Sequence, residues 1–110
     1  MTVERIRGDT YADRFEVRNQ NTGDIVNLTG CQAYLTLSTE SNPTDTTNQV
    51  YQLVGVIDDP SSGIIEFSPD ATQANQVGLF FYDVELIDAL GVVRTLVKGT
   101  YKYIQDITKV

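Results

Sequence analysis

Along most of the chain apolar and polar residues alternate, and the alternation breaks at clusters of Asn, Asp, Gly, Ser and Pro. A period of two puts successive side chains on opposite faces of an extended strand, so each alternating stretch reads as a half-buried strand. Residues 3–7 make a short first strand that Gly8-Asp9 ends. In 11–18, Tyr11, Phe15 and Val17 share one face, and Arg14, Glu16 and Arg18 the other. Residues 19–24 form a turn by composition, because Asn and Gly tolerate positive φ. Residues 25–28 are a brief extended piece, and Thr29-Gly30 breaks it. Cys31, Ala33, Leu35 and Leu37 then oppose Gln32, Tyr34, Thr36 and Ser38.

Residues 38–49 hold no aliphatic side chain apart from Pro43 and predict a long mobile loop. Residues 50–57 and 64–67 flank Asp58-Asp59-Pro60-Ser61-Ser62-Gly63 as a hairpin. Ser68-Pro69-Asp70 offers a cap for one helical turn over 71–75. Residues 79–87 give the strongest strand, with Phe80, Tyr82, Val84 and Leu86 on one face. The turn Asp88-Ala89-Leu90-Gly91 leads into a last strand over 92–104, where Gly99 marks a bulge or bend. About seven short strands with such turns predict an all-β fold: an antiparallel two-sheet β-sandwich with immunoglobulin-like connections, or a small barrel as the alternative.

Composition agrees. Val, Ile, Thr, Tyr and Phe make up 43 of 110 residues against five Ala, and branched or aromatic side chains suit a pleated surface better than a helix. The 32 Leu, Ile, Val and Phe residues are enough for one core, so the chain reads as one domain over 1–110. No apolar run approaches membrane-spanning length, and Met1 leads into Thr-Val-Glu-Arg rather than a signal peptide. A single cysteine excludes an internal disulfide, and the lack of histidine removes the commonest proton shuttle and metal ligand. No cofactor is implied.

The net charge of −7 argues against nucleic-acid or anionic-membrane partners. Its distribution says more. Residues 19–93 contain ten acids and no lysine or arginine, whereas 94–110 carry Arg94, Lys98, Lys102 and Lys109 against Asp106. Either the terminal strands neutralise the acidic ones within the fold, or an acidic body presents a basic edge to another copy or partner.

Candidate chemistry is sparse. Arg7-Gly8-Asp9 matches an adhesion tripeptide but is also ordinary turn chemistry. Cys31 has no histidine to raise its thiolate fraction and reads as a small buried residue. Asp83 and Glu85 lie on one strand face, whereas acid–base hydrolysis needs carboxyls across a cleft. Asp24, Asp58 and Asp59 lack the spacing of a calcium loop. Tyr34, Phe81, Tyr101 and Tyr103 are candidates for a sugar-stacking platform, although the last two share the parity of Val93 and Val97 and fit the core better. The pattern does not read as an enzyme.

Several motifs carry a family resemblance: Ile6-Arg7-Gly8-Asp9-Thr10 with Phe15 and Val17; Ile25-Val26-Asn27-Leu28-Thr29-Gly30 before Leu35-Thr36-Leu37; and Gly63-Ile64-Ile65-Glu66-Phe67-Ser68. The closing stretch is the most specific, with Tyr82-Asp83-Val84-Glu85-Leu86-Ile87-Asp88, Gly91, Val93-Arg94-Thr95-Leu96 and Gly99-Thr100-Tyr101. Together they span most of the chain, which resembles the immunoglobulin-like domains of tailed-phage virion proteins and looks most like the N-terminal domain of phage baseplate upper proteins. Asn27 departs from the acidic residue common there. The resemblance implies a non-enzymatic virion structural protein, assembled in the host cytoplasm, that works through contacts with other virion proteins. A chain stopping at Val110 implies an adaptor, plug or decoration on tail or capsid rather than a fibre. A carbohydrate-binding adhesion module is the alternative reading.

Three structural expectations follow. The last turn, centred on Ala89-Leu90, pairs Glu85 with Arg94 outside, and Leu86 with Val93, Val84 with Thr95 and Tyr82 with Val97 inside. Phe15, Val17, Leu35, Leu37, Phe67, Tyr82, Val84, Leu86 and Val97 form the core. Phe81, Arg94, Lys98 and Lys102 form an interface, through which a homo-oligomer or a complex with other virion proteins assembles; the alternative is that the lysines blunt an exposed edge.

Overall fold

The computed structural model describes residues 2–8, 11–43 and 45–105. Its seven strands are β1 (Thr2–Ile6), β2 (Asp13–Glu16), β3 (Gln32–Ser38), β4 (Gln49–Val54), β5 (Ile64–Phe67), β6 (Gly78–Ile87) and β7 (Val93–Ile104). The fold is all-β, and the one helical element among the described residues is a 3-10 turn over Pro60–Ser62. Residues 25–28 do not form a strand; Ile25 makes a single bridge to Arg18. Within 70–74 one helical turn closes where the Asp70 carboxylate accepts from the Gln73 N–H and the Gln73 side chain accepts from the Asp70 N–H, so Asp70 rather than Ser68 is the cap.

The strands form two sheets. One has the order β1-β7-β6-β3-β4, with β1 parallel to β7 and the other pairs antiparallel; β2 and β5 form the second. Alternation sends Ala33, Leu35, Leu37, Phe80, Tyr82, Val84, Leu86, Tyr101 and Tyr103 inward, where they meet Ile65 and Phe67 of β5 in a shared core. Six of the nine residues expected in the core are buried; Phe15, Val17 and Val97 are half-buried at its margin. Among the described residues no second sheet covers the opposite face of the five-stranded sheet.

The expected hairpin between 50–57 and 64–67 is not formed as such. β4 pairs with β3 and β5 with β2, and among the described residues the two segments share one backbone bridge, between Val56 and Glu66. The chain leaves one sheet for the other at Gly55, whose N–H still bonds the Ala33 carbonyl while Val56 already bonds Glu66. A Cβ built on Gly55 would lie 2.6 Å from Ile65 Cγ2 and 3.1 Å from Ala33 Cβ, so the crossing brings backbone against both sheets. Gly55→Ala is therefore expected to overpack the core and lower stability by about 1–3 kcal/mol, read by urea denaturation.

The last hairpin also departs from expectation. Asp88 and Val92 close a three-residue loop, Ala89-Leu90-Gly91, in which Gly91 has φ 82° and the Asp88 carboxylate accepts the N–H groups of Leu90 and Val92. Ile87 then faces Val93, Leu86 faces Arg94 and Glu85 faces Thr95. A β-bulge follows, and Val84 pairs with Val97, Asp83 with Lys98 and Phe81 with Thr100. Glu85 and Arg94 thus lie on opposite sheet faces. Val93 and Thr95 turn out to solvent, while Tyr101 and Tyr103 keep the inward parity expected of them.

Candidate interaction surfaces

The register divides the four residues expected at an interface. Phe81, Lys98 and Lys102 share the uncovered face of the five-stranded sheet; Arg94, on the turn side of the bulge, has the parity of Leu86 and belongs to the other side. Nor is β7 an edge. β1 runs along its C-terminal half, so the basic strand lies inside the sheet. Its charges find acids there: Asp83 is directly across from Lys98, and Glu4 sits beside Lys102. Basic residues of the terminal strands thus reach some of the acidic ones, as Arg14 does, whose Nε lies 2.9 Å from the Glu66 carboxylate. Burial pushes the Asp83 carboxyl up, and Lys98 pulls it back down.

Apolar residues collect at one end of this face. Ile6 and Ile104 are cross-strand partners, Leu79 is across from Lys102, and Val77 just precedes β6. All four are exposed, Leu79 at 58%. At the centre residues 40–43 fold back over the sheet, where Lys98 Nζ donates to Asn42 Oδ1 at 3.2 Å. Beneath it lies a cup of about 290 Å³ lined by Glu40, Gln52, Phe81, Asp83 and Lys98.

A buried polar cluster, not foreseen as a cluster, ties the two sheets together. Asp13 of β2, 3% exposed, accepts from Arg5 Nε at 2.9 Å and from the Tyr101 hydroxyl at 2.5 Å. The Tyr101 hydroxyl also lies 2.8 Å from that of Tyr11, Tyr11 bonds Tyr103, and Tyr103 bonds Tyr51 at 2.9 Å. The Arg5 guanidinium lies 4.8 Å from the centre of the Tyr11 ring. Burial is the first cause that raises the hydroxyls of Tyr11, Tyr51, Tyr82 and Tyr101 above the ordinary value of 10.0. Below that pH the folded and unfolded chains both hold these protons. Above it the unfolded chain releases them while the folded one keeps them, so stability falls as pH rises. Tyrosinate absorbance for these four is expected to appear together with unfolding; ionisation of all four with an unchanged far-ultraviolet spectrum would contradict this.

On the far side of the molecule a cleft of about 620 Å³ opens between the two sheets, with Phe15, Val17 and Val26 on one wall and Leu86, Leu96 and Val97 on the other. Cys31 and Arg94 also line it.

The remaining sequence candidates fall into structural roles. Gly8 has φ 79° in a turn, and Asp9 of the Arg-Gly-Asp tripeptide lies outside the described residues, as do Asp106 and Lys109. Asp59 caps the 3-10 turn by accepting from Ser61. Asp83 and Glu85 stay on one sheet face. Tyr34 and the Phe81 partner Ser38 are four residues apart on β3, about 13 Å along the strand, so Tyr34 and Phe81 do not make one stacking platform. Among the described residues no group of three or more acidic or cysteine side chains is placed to hold a metal, and no helix is long and apolar enough to cross a membrane. Comparison with known protein families and with curated proteins returned no match.

Proposed function

We propose that this chain is a non-enzymatic bacteriophage virion structural protein, an immunoglobulin-like β-sandwich that serves as an adaptor, baseplate or tail component, or capsid decoration. The strand order supports the sandwich. In a variable-type immunoglobulin domain the C-F-G strands gain C′ and face B and E, and a sheet built on β7-β6-β3, extended by β4 and opposed by β2 and β5, supports this reading. There are three departures: one cysteine leaves no inter-sheet disulfide, there is no tryptophan on β3, and among the described residues the facing sheet has two strands in place of A, B, E and D. Buried Val84 and Phe67 and the tyrosine–Asp13 cluster supply the cohesion between sheets instead.

The observation that carries the interaction reading is the uncovered sheet face, where exposed Ile6, Val77, Leu79 and Ile104 adjoin Glu4 and Lys102. Apolar side chains gathered at one place and rimmed by both signs of charge suit a protein–protein contact. In this reading the protein forms a homo-oligomer in the virion and meets other virion proteins, with neither nucleic acid nor membrane as a partner. The adhesion-module alternative has less support, since Tyr34 and Phe81 stand apart.

Light scattering on the pure protein tests the self-association, and mass spectrometry of purified particles tests the location. An oligomer that Leu79→Asp dissociates is expected; because Leu79 is exposed, that substitution leaves the fold in place. A monomer at every concentration and salt overturns self-association. Absence from purified particles overturns the virion reading.

A further inference from the structure

The second sheet has an unused edge. Just past β2 the Val17 N–H bonds the Gly63 carbonyl, so residues 13, 15 and 17 direct their backbone groups to the β5 side. Alternation turns the N–H and C=O groups of Arg14, Glu16 and Arg18 the other way. Among the described residues no strand lies on that side. The facing sheet is incomplete at the same place. β1 reaches only to the level of Thr100, the partner of Thr2, so among the described residues the start of β7 has β6 on one side and no strand on the other. The apolar cleft of about 620 Å³ opens between these two free edges.

We infer that this cleft is a docking site for an extended strand of another polypeptide, which adds to the edge of β2 and sets alternate apolar side chains between the two sheets. Three features fix the chemistry of the occupant. Backbone groups presented at strand spacing are satisfied by another strand, which makes main-chain bonds along the edge while every second side chain turns inward. The walls, Phe15 and Val17 against Leu96 and Val97, are half-buried apolar surface that such side chains would cover. The charge is set by Arg94. The two acids near it are engaged, Glu16 by Arg18 and Asp88 by its own turn, whereas no partner for Arg94 is found among the described residues. A strand with an acidic residue among its valine-like positions matches this wall.

A second copy is a poor donor. The alternating stretches of β3, β5, β6 and β7 already hold their apolar faces in their own core. The inference stands apart from the virion reading, because any partner with such a strand satisfies it.

The chain carries its own reporter, since its single cysteine, Cys31, lines the cleft. The probe is a short capped peptide of alternating valine and threonine with one glutamate, titrated into the isotopically labelled full-length protein. Expected are shifted and slowly exchanging amides at Arg14, Glu16 and Arg18, together with slower thiol labelling of Cys31. Glu16→Pro removes an outward N–H without touching the β5 ladder and should abolish both effects. Arg94→Ala should weaken binding by up to about fivefold. Leu96→Asp, which puts a charge on the far wall, is the second blocking variant should the proline variant not fold. No binding at millimolar peptide, protection mapped to β4 instead, or a folded blocking variant that binds like the parent each overturns the proposal. Protection of the three amides that grows with protein concentration alone would make the occupant a second copy and overturn it too.

Discussion

Asp13→Ala is expected to lower the unfolding free energy by about 3 kcal/mol, among the largest losses of any single polar substitution in this chain. The carboxylate is 3% exposed and holds groups from both ends of the sequence, Arg5 of β1 and Tyr101 of β7. Its removal leaves the Tyr101 hydroxyl buried with one acceptor fewer and Arg5 facing a hole. Breaking a buried ion pair from one side costs about 3–5 kcal/mol. The Arg5 side chain is 34% exposed and can recover water, which puts the loss at the lower end. Asp13→Asn keeps an acceptor for Tyr101 but loses the charge, and should fall between alanine and the parent. Tyr101→Phe removes one hydroxyl from the cluster and should cost about 1 kcal/mol. Combined with Asp13→Ala it should cost less than the two separately, since both break the same bond. Urea denaturation followed by circular dichroism gives all four values. Full additivity would show that the hydroxyl and the carboxylate act independently.

The strands were legible because their alternation is a direct record of a sheet with one covered and one uncovered face. The inward faces of β3 and β6 read correctly, since Ala33, Leu35 and Leu37 and Phe80, Tyr82, Val84 and Leu86 are all apolar and all buried. Asp13 was legible in principle too. It shares the parity of Tyr11, Phe15 and Val17, and an acid on an apolar face signals a buried partner. What alternation cannot express is where it slips. Nothing in Val93-Arg94-Thr95-Leu96 marks the bulge, because Val, Thr and Leu are acceptable on either face. The three-residue loop moved Arg94 onto the parity of Leu86, and loop and bulge together brought Asp83, not Phe81, opposite Lys98. Pairing between distant strands is equally silent in the sequence. Proximity along the chain suggested that β4 and β5 pair, whereas Gly55, small enough to cross between sheets, separates them. The cleft escaped notice for the same reason: it consists of two edges that only the assembled topology leaves bare.

Leu35→Ala should be the most damaging single truncation on β3. Leu35 is wholly buried, with Leu53 of β4 on one side and Val84 of β6 on the other, and Val97 of β7 continues the row. These neighbours are held by backbone ladders on both flanks, so the walls have little freedom to close on the space left behind. Truncation of a buried leucine costs about 2–5 kcal/mol, and the cost grows with the cavity that remains. A value in the upper half, about 3–5 kcal/mol, is therefore expected, a large part of the stability of a domain this size. Its melting temperature should fall by more than about 10 °C. Val54→Ala supplies the contrast. Val54 ends β4 on the other face at 67% exposure, and its truncation should change stability by no more than about 0.5 kcal/mol. Two apolar side chains on adjoining strands would then differ severalfold in their effect for one reason, the face on which the pleat places them. If Leu35→Ala melts within a degree or two of the parent, the inward assignment of β3 fails, and with it the register of both sheets' shared core.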